Sequence, residues 1–196
     1  MRNSNRLVLL IVVSLAAFGY AQPKPAARIR HLIIETKQNR AMEPKLTTSE
    51  AIKVIGIEVG TTNQLEMNPA TAKIPGLYAR YYQDHIAEKI PHKKKDGSML
   101  GVYTNYESDH TGAYTLVIGV PVTSLDAIPA QMTGVTIPAG KYLVFQARGP
   151  MPQALIETWT TIWNYFPGHP GYKRAYTTDY EIHRGEDSAD IYVAVK

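Results

Sequence analysis

One order of elements occurs twice along this chain. Residues 51–59 read as a strand, 74–90 carry apolar residues at helical spacing, and 100–107 and 113–120 read as a strand pair joined by 108–112. The order then recurs as a strand at 141–148, a helix at 150–166, and strands at 174–183 and 190–195. Short echoes support the repeat. Tyr103-Thr-Asn-Tyr-Glu107 resembles Tyr176-Thr-Thr-Asp-Tyr-Glu181 with one residue inserted, and 114–120 correspond to 189–195. A three-stranded sheet with one helix buries too little to stand alone. Two such units must share a core, so the duplication sets the architecture. The predicted class is α+β: repeats at about 50–120 and 141–196 form one antiparallel sheet, with both helices on one face and a cleft between the repeats.

Local signals place the boundaries. Pro75 suits the first turn of the first helix, where Ile74, Leu77, Tyr78, Tyr81, His85 and Ile86 share a face and Pro91 ends it. In the second helix Pro152 opens, Leu155, Trp159, Ile162, Trp163 and Phe166 share a face, and Pro167 closes. The apolar alternation of 51–59 slips once near Ile55 and Gly56, which predicts a bulge. Pro121 is expected to stop its strand and 122–134 to be a connector. Residues 40–48 read as irregular and 29–36 as a short strand. His92-Lys-Lys-Lys-Asp-Gly97 reads as a solvated turn.

Residues 1–21 read as an export signal. Arg2 and Arg6 precede an apolar run from Leu7 to Phe18, too short for a membrane span, and Gly19-Tyr20-Ala21 offers small residues for cleavage after Ala21. The expected product begins at Gln22 in the periplasm or outside the cell. An uncleaved anchor is the alternative; after signal removal no stable membrane insertion is expected. Residues 22–49 then form a linker or extension, and 50–196 the domain. Removing Arg2 and Arg6 leaves 19 Lys and Arg against 17 Asp and Glu, a net charge of +2. That is too weak for a nucleic-acid surface. The absence of cysteine excludes disulfides, thiolate metal sites, a cysteine nucleophile and a lipid-modified amino-terminal cysteine. The six histidines form no ligand-spaced pair, so neither metal nor cofactor is expected.

The candidate site lies between Trp159 and His183. This stretch holds both tryptophans and four of the 13 tyrosines, with Glu181 near its end. Aromatic faces and one carboxylate suit a flat or cationic organic molecule. An aromatic core with a surface Glu is the competing reading.

The segments Ala51-Ile-Lys-Val-Ile-Gly-Ile-Glu58, Ile74-Pro-Gly-Leu-Tyr78, Gly101-Val-Tyr-Thr-Asn-Tyr106, Gly140-Lys-Tyr-Leu-Val-Phe145, Ile162-Trp-Asn-Tyr-Phe-Pro167, Asp179-Tyr-Glu181 and Asp190-Ile-Tyr-Val-Ala-Val195 carry a resemblance. In order and spacing, over about residues 50–196, the chain resembles the GyrI-like family, the effector-binding domain of AraC-type and MerR-type bacterial transcription activators. The resemblance implies the duplicated strand-helix-strand-strand fold. It also implies that Glu181, in the family's Asp-Tyr-Glu pattern, faces cationic aromatic ligands, and that Trp159 and Trp163 flank the pocket. With Tyr78 and Tyr103 from two matching segments, these are the candidate ligand-binding residues. The chain departs from the family in showing no DNA-binding helices ahead of the domain and in carrying an export signal. A stand-alone exported small-molecule-binding protein is the expectation.

Two other classes compete. Some family members are hydrolases of reactive small molecules, and Glu181 could serve as general base with a Tyr hydroxyl as donor. No nucleophile motif such as G-x-S-x-G accompanies it. A protein-interaction module in the cell envelope is the third class.

Overall fold

The computed structural model describes residues 43–196. The export signal, the cleavage point and the strand expected at 29–36 lie outside the described residues. The elements are β1 (Lys45–Ser49), β2 (Ile52–Thr62), α1 (Asn63–Glu66), α2 (Ile74–Gln83), α3 (Ile86–Lys89), β3 (Leu100–Thr104), β4 (Ala113–Val122), β5 (Thr133–Ile137), β6 (Gly140–Arg148), α4 (Gln153–Gly168), β7 (Asp179–His183) and β8 (Ser188–Ala194).

All eight strands join one sheet in the order β1-β6-β8-β7-β3-β4-β2-β5, and every pairing is antiparallel. Read outward from the seam between β7 and β3, each repeat runs second strand, third strand, first strand. The order is palindromic, as a pseudo-twofold duplication requires. Only Pro138 and Ala139 separate β5, at one edge, from β6, beside the other. Two residues cannot span a flat eight-stranded sheet, so the sheet curls until its ends approach.

The curl gives the sheet two buried faces. Inside it Val54, Val102, Val117, Ile137, Tyr142 and Tyr180 pack together. Outside, Leu77 and Tyr81 of α2 lie on Ile55, Ile57, Leu116 and Ile118. Ile162 of α4 lies on Leu143, Phe145, Ile191 and Val193. Each such aliphatic side chain contributes about 1.5–3 kcal/mol when fully buried. Trp159 packs against both outer clusters, so the two helices share one face.

Several local expectations are corrected. The apolar slip in β2 is not a bulge, because the strand keeps an unbroken register with β4 from Lys53↔Val122 to Thr62↔Ala113. The slip arises because both faces are buried: Val54 faces the curl, while Ile55 and Ile57 face the helices. Gly56 stands opposite Gly119, and a Cβ at either would lie 2.1 Å from a carbonyl oxygen of the other strand.

The helix expected over 74–90 breaks after Gln83, where His85 turns left-handed at φ 49° and α3 follows. In an unbroken helix Ile90 would stand about half a turn from Tyr81, facing solvent. The break instead buries Ile86 and Ile90 and leaves His85 exposed beside Glu88.

Pro121 does not stop β4, which runs to Val122. Beyond Gly119 the strand has no β3 neighbour, so a residue without an N–H fits there. Residues 45–49, expected irregular and outside the domain, form edge strand β1, and the expected connector 122–134 runs into β5 at Thr133. The strand expected at 100–107 ends at Thr104, and the one expected from Arg174 begins at Asp179. Glu107 is therefore exposed beyond β3 while Glu181 is buried within β7, so that sequence echo is not a structural equivalence.

Candidate functional site

β7 reads Asp-Tyr-Glu-Ile-His, and its alternation sorts these side chains. Asp179, Glu181 and His183 face the helices, whereas Tyr180 and Ile182 pack inside the curl. Glu181 pairs across the seam with Gly101 of β3. A Cβ on Gly101 would come within 3.2 Å of Glu181 Oε2. The bare glycine is what lets a carboxylate lie flat on the sheet.

The Glu181 carboxylate is fully buried. Its Oε1 accepts hydrogen bonds from Tyr103 Oη and from Trp159 Nε1, both at 2.6 Å. Its Oε2 has no hydrogen-bond donor. His183 Nε2 lies 3.3 Å from Oε2 without hydrogen-bonding geometry and 3.3 Å from Tyr78 Oη. Burial, reinforced by the Glu181 charge, pushes the Tyr103 and Tyr78 phenols well above their ordinary range. Both remain neutral donors in neutral water.

A second buried carboxylate lies two residues away. Asp179 accepts from Tyr106 Oη at 2.8 Å, from Arg174 Nη2, and from the Ala194 backbone N–H at 2.8 Å. The Arg174 guanidinium sits 4.3 Å from the Tyr176 ring centroid. Burial works against its charge, but Asp179, with Tyr106 and Tyr176, outweighs burial and raises its pKa. Asp179 is thus satisfied on both oxygens and Glu181 on one. That difference makes Glu181 the carboxylate with capacity to spare.

Above these groups a cavity of about 660 Å³ opens between α2 and α4. Tyr78, Tyr103, Trp159 and Trp163, all expected at the site, line it. Glu181 lies behind that wall, covered by Tyr103 and Trp159. Of the two tryptophans only Trp159 bonds the carboxylate; Trp163 stacks on His110, ring centroids 6.5 Å apart. His183, Tyr106 and Arg174 also line the cavity and were not anticipated. His183 was open to prediction, since residue i+2 of a strand shares the face of Glu181. Arg174 was not, because it precedes the strand in an irregular stretch where Tyr176 takes φ 51°. Among the described residues no cluster of three His, Asp or Glu side chains could hold a metal ion.

A duplicated antiparallel sheet with two helices on one face and an aromatic cavity over its central strands defines an effector-binding α+β domain. Residues 45–195 match the family model Cass2, integron-associated effector binding protein. The chain belongs to that family, which shares the GyrI-like fold. An integron cassette protein, VCH_CASS2 from the mobile metagenome of Vibrio cholerae, is 36% identical, with a TM-score of 0.68, and the match covers 79% of this chain and 96% of that one. The YobU protein of Bacillus subtilis (strain 168) is 29% identical over 158 residues, 77% of this chain and 96% of that protein. The structure of SAV2435 bound to tetraphenylphosphonium shares the fold at 22% identity and a TM-score of 0.63, over 79% of this chain and 94% of that one.

Proposed function

We propose that this protein binds an aromatic organic cation in the cavity between α2 and α4, with Glu181 as its counter-charge. The observation that carries the reading is Glu181 Oε2, a fully buried carboxylate oxygen with no donor. A charge so placed is costly unless something compensates it. A cation entering past Tyr78 and His183 would supply that compensation, and the faces of Trp159 and Tyr78 would hold its rings by cation–π and stacking contacts. Tetraphenylphosphonium, the molecule bound to SAV2435, is a suitable probe.

Calorimetry of the wild type and Glu181→Gln tests the reading. The substitution keeps the shape and the acceptor for Tyr103 and Trp159 while removing the charge. Tetraphenylphosphonium should bind the variant about 1–3 kcal/mol more weakly, the range for a lost charge-assisted contact. Neutral triphenylphosphine oxide should bind both proteins alike. Equal tetraphenylphosphonium affinity for both proteins would remove Glu181 from the site.

The reading includes export, resting on Arg2, Arg6 and the apolar run that follows. Mass spectrometry of the envelope fraction should find a chain beginning at Gln22, and an intact cytosolic chain would refute export.

A further inference from the structure

A smaller cavity of about 390 Å³ adjoins the larger one, and His110, Trp163 and Arg174 line both. Its charged lining differs from that of the larger one, where Glu66 and Glu186 stand beside Arg174. Trp163, Tyr172 and Tyr176 give it aromatic sides, Lys173 and Arg174 give it positive charge, and among the described residues none that lines it is acidic. Its volume falls within the range of small-molecule pockets.

Arg174 is the telling group. Its side chain is 95% buried, being 5% exposed. Of its five N–H donors, one reaches Asp179 among the described residues, and the buried Nε–H has no partner. Asp179 offers little more, since Tyr106 and the Ala194 N–H occupy it as well. A buried guanidinium with unused donors is made for a planar acceptor, and its fork matches a carboxylate. Tyr176, in the left-handed region at φ 51°, holds its ring 4.3 Å from the guanidinium carbon. A non-glycine residue in that conformation marks a segment positioned by more than local preference. Lys173, exposed at the rim, adds charge that Asp179 does not cancel.

We infer that this smaller cavity is a second binding site, separate from the cation cavity, and that it takes an aromatic carboxylate. The acid meets Arg174 and Lys173, and the ring lies among Trp163, Tyr172 and Tyr176.

The probe is 2-naphthoate, with its neutral isostere 2-naphthamide, titrated calorimetrically into the protein. Naphthoate should bind one to one, at least about tenfold more tightly than the amide, the effect of one charge-assisted hydrogen bond. Arg174→Lys should weaken naphthoate binding about tenfold, and Lys173→Gln severalfold. Circular dichroism reports whether Arg174→Lys stays folded, and the exposed Lys173→Gln keeps the test open if it does not. Naphthoate should bind equally to Glu181→Gln and in the presence of saturating tetraphenylphosphonium. The inference is overturned if naphthoate fails to bind at millimolar concentration, if acid and amide bind equally, if Lys173→Gln has no effect, or if tetraphenylphosphonium displaces naphthoate. None of these outcomes depends on whether Glu181 binds a cation.

Discussion

At the residue scale the site turns on an asymmetry within one carboxylate. Tyr103 and Trp159 both donate to Oε1 of Glu181, and no donor reaches Oε2. Tyr103→Phe removes one donor and keeps the ring, which packs edge-on to Trp159 at 4.9 Å between centroids. The fold should lose about 1–3 kcal/mol, the cost of leaving a buried charged acceptor less satisfied. Cation binding should strengthen in the same variant, because less of the charge is already compensated. Urea denaturation and calorimetry read the two effects separately. Stability and affinity falling together would show that Tyr103 holds the ligand itself rather than the carboxylate.

At the scale of the element, β2 shows how one strand can mislead periodicity. Its apolar residues lose alternation because the curl buries both faces, and the glycine at the slip serves close approach. Gly119→Ala would drive a Cβ to 2.1 Å from the Ile55 carbonyl oxygen. Backbone cannot yield as a side-chain tip does, so the variant should lose about 3 kcal/mol or more, or fail to fold. Gly60→Ala in the same strand meets nothing within 4 Å. It should stay within about 0.5 kcal/mol of the wild type or gain slightly from the stiffer unfolded chain. Thermal melts of the pair separate close approach from any general intolerance of alanine in β2. Edge strands β1 and β5, Lys-Leu-Thr-Thr-Ser and Thr-Gly-Val-Thr-Ile, went unread because neither carries a run of apolar alternation. Each is a strand because a longer neighbour offers it a ladder.

The whole molecule is rich in tyrosines that burial holds protonated. Burial raises Tyr81 and Tyr142 to about 12, and raises Tyr78, Tyr103, Tyr106, Tyr114 and Tyr180 as well. Below pH 10, the ordinary phenol value, folded and unfolded chains carry the same phenol protons, and this contribution to stability is complete. Above it the unfolded chain releases protons that the folded chain retains, so the unfolded state gains and stability falls with pH. For Tyr81 and Tyr142 the loss continues until about pH 12. Denaturation midpoints should therefore drop steeply above pH 10, and tyrosinate absorbance should rise in two stages, the second coinciding with unfolding. A single stage at pH 10 in a still folded protein would show these phenols to be open to water.

The order of the repeated strands and helices, the duplication and the placing of Glu181 on the face opposite Tyr180 were legible in the sequence. Each is a local or periodic property: Pro75 and Pro152 open helices, and alternation along Asp-Tyr-Glu-Ile-His puts Glu181 opposite in direction to Tyr180. What the sequence could not determine depends on how the sheet closes. The choice of Trp159 over Trp163 as partner of Glu181, the pairing of Tyr103 with a residue 78 positions away, and the seating of Arg174 beside Asp179 all follow from the curl. The curl in turn shows in the two residues that link β5 to β6, and the close approach of Gly56 to Gly119 likewise joins segments whose local patterns say nothing of each other. Side-chain partners across a sheet are set by register and curvature, and those exist only once the strands have met.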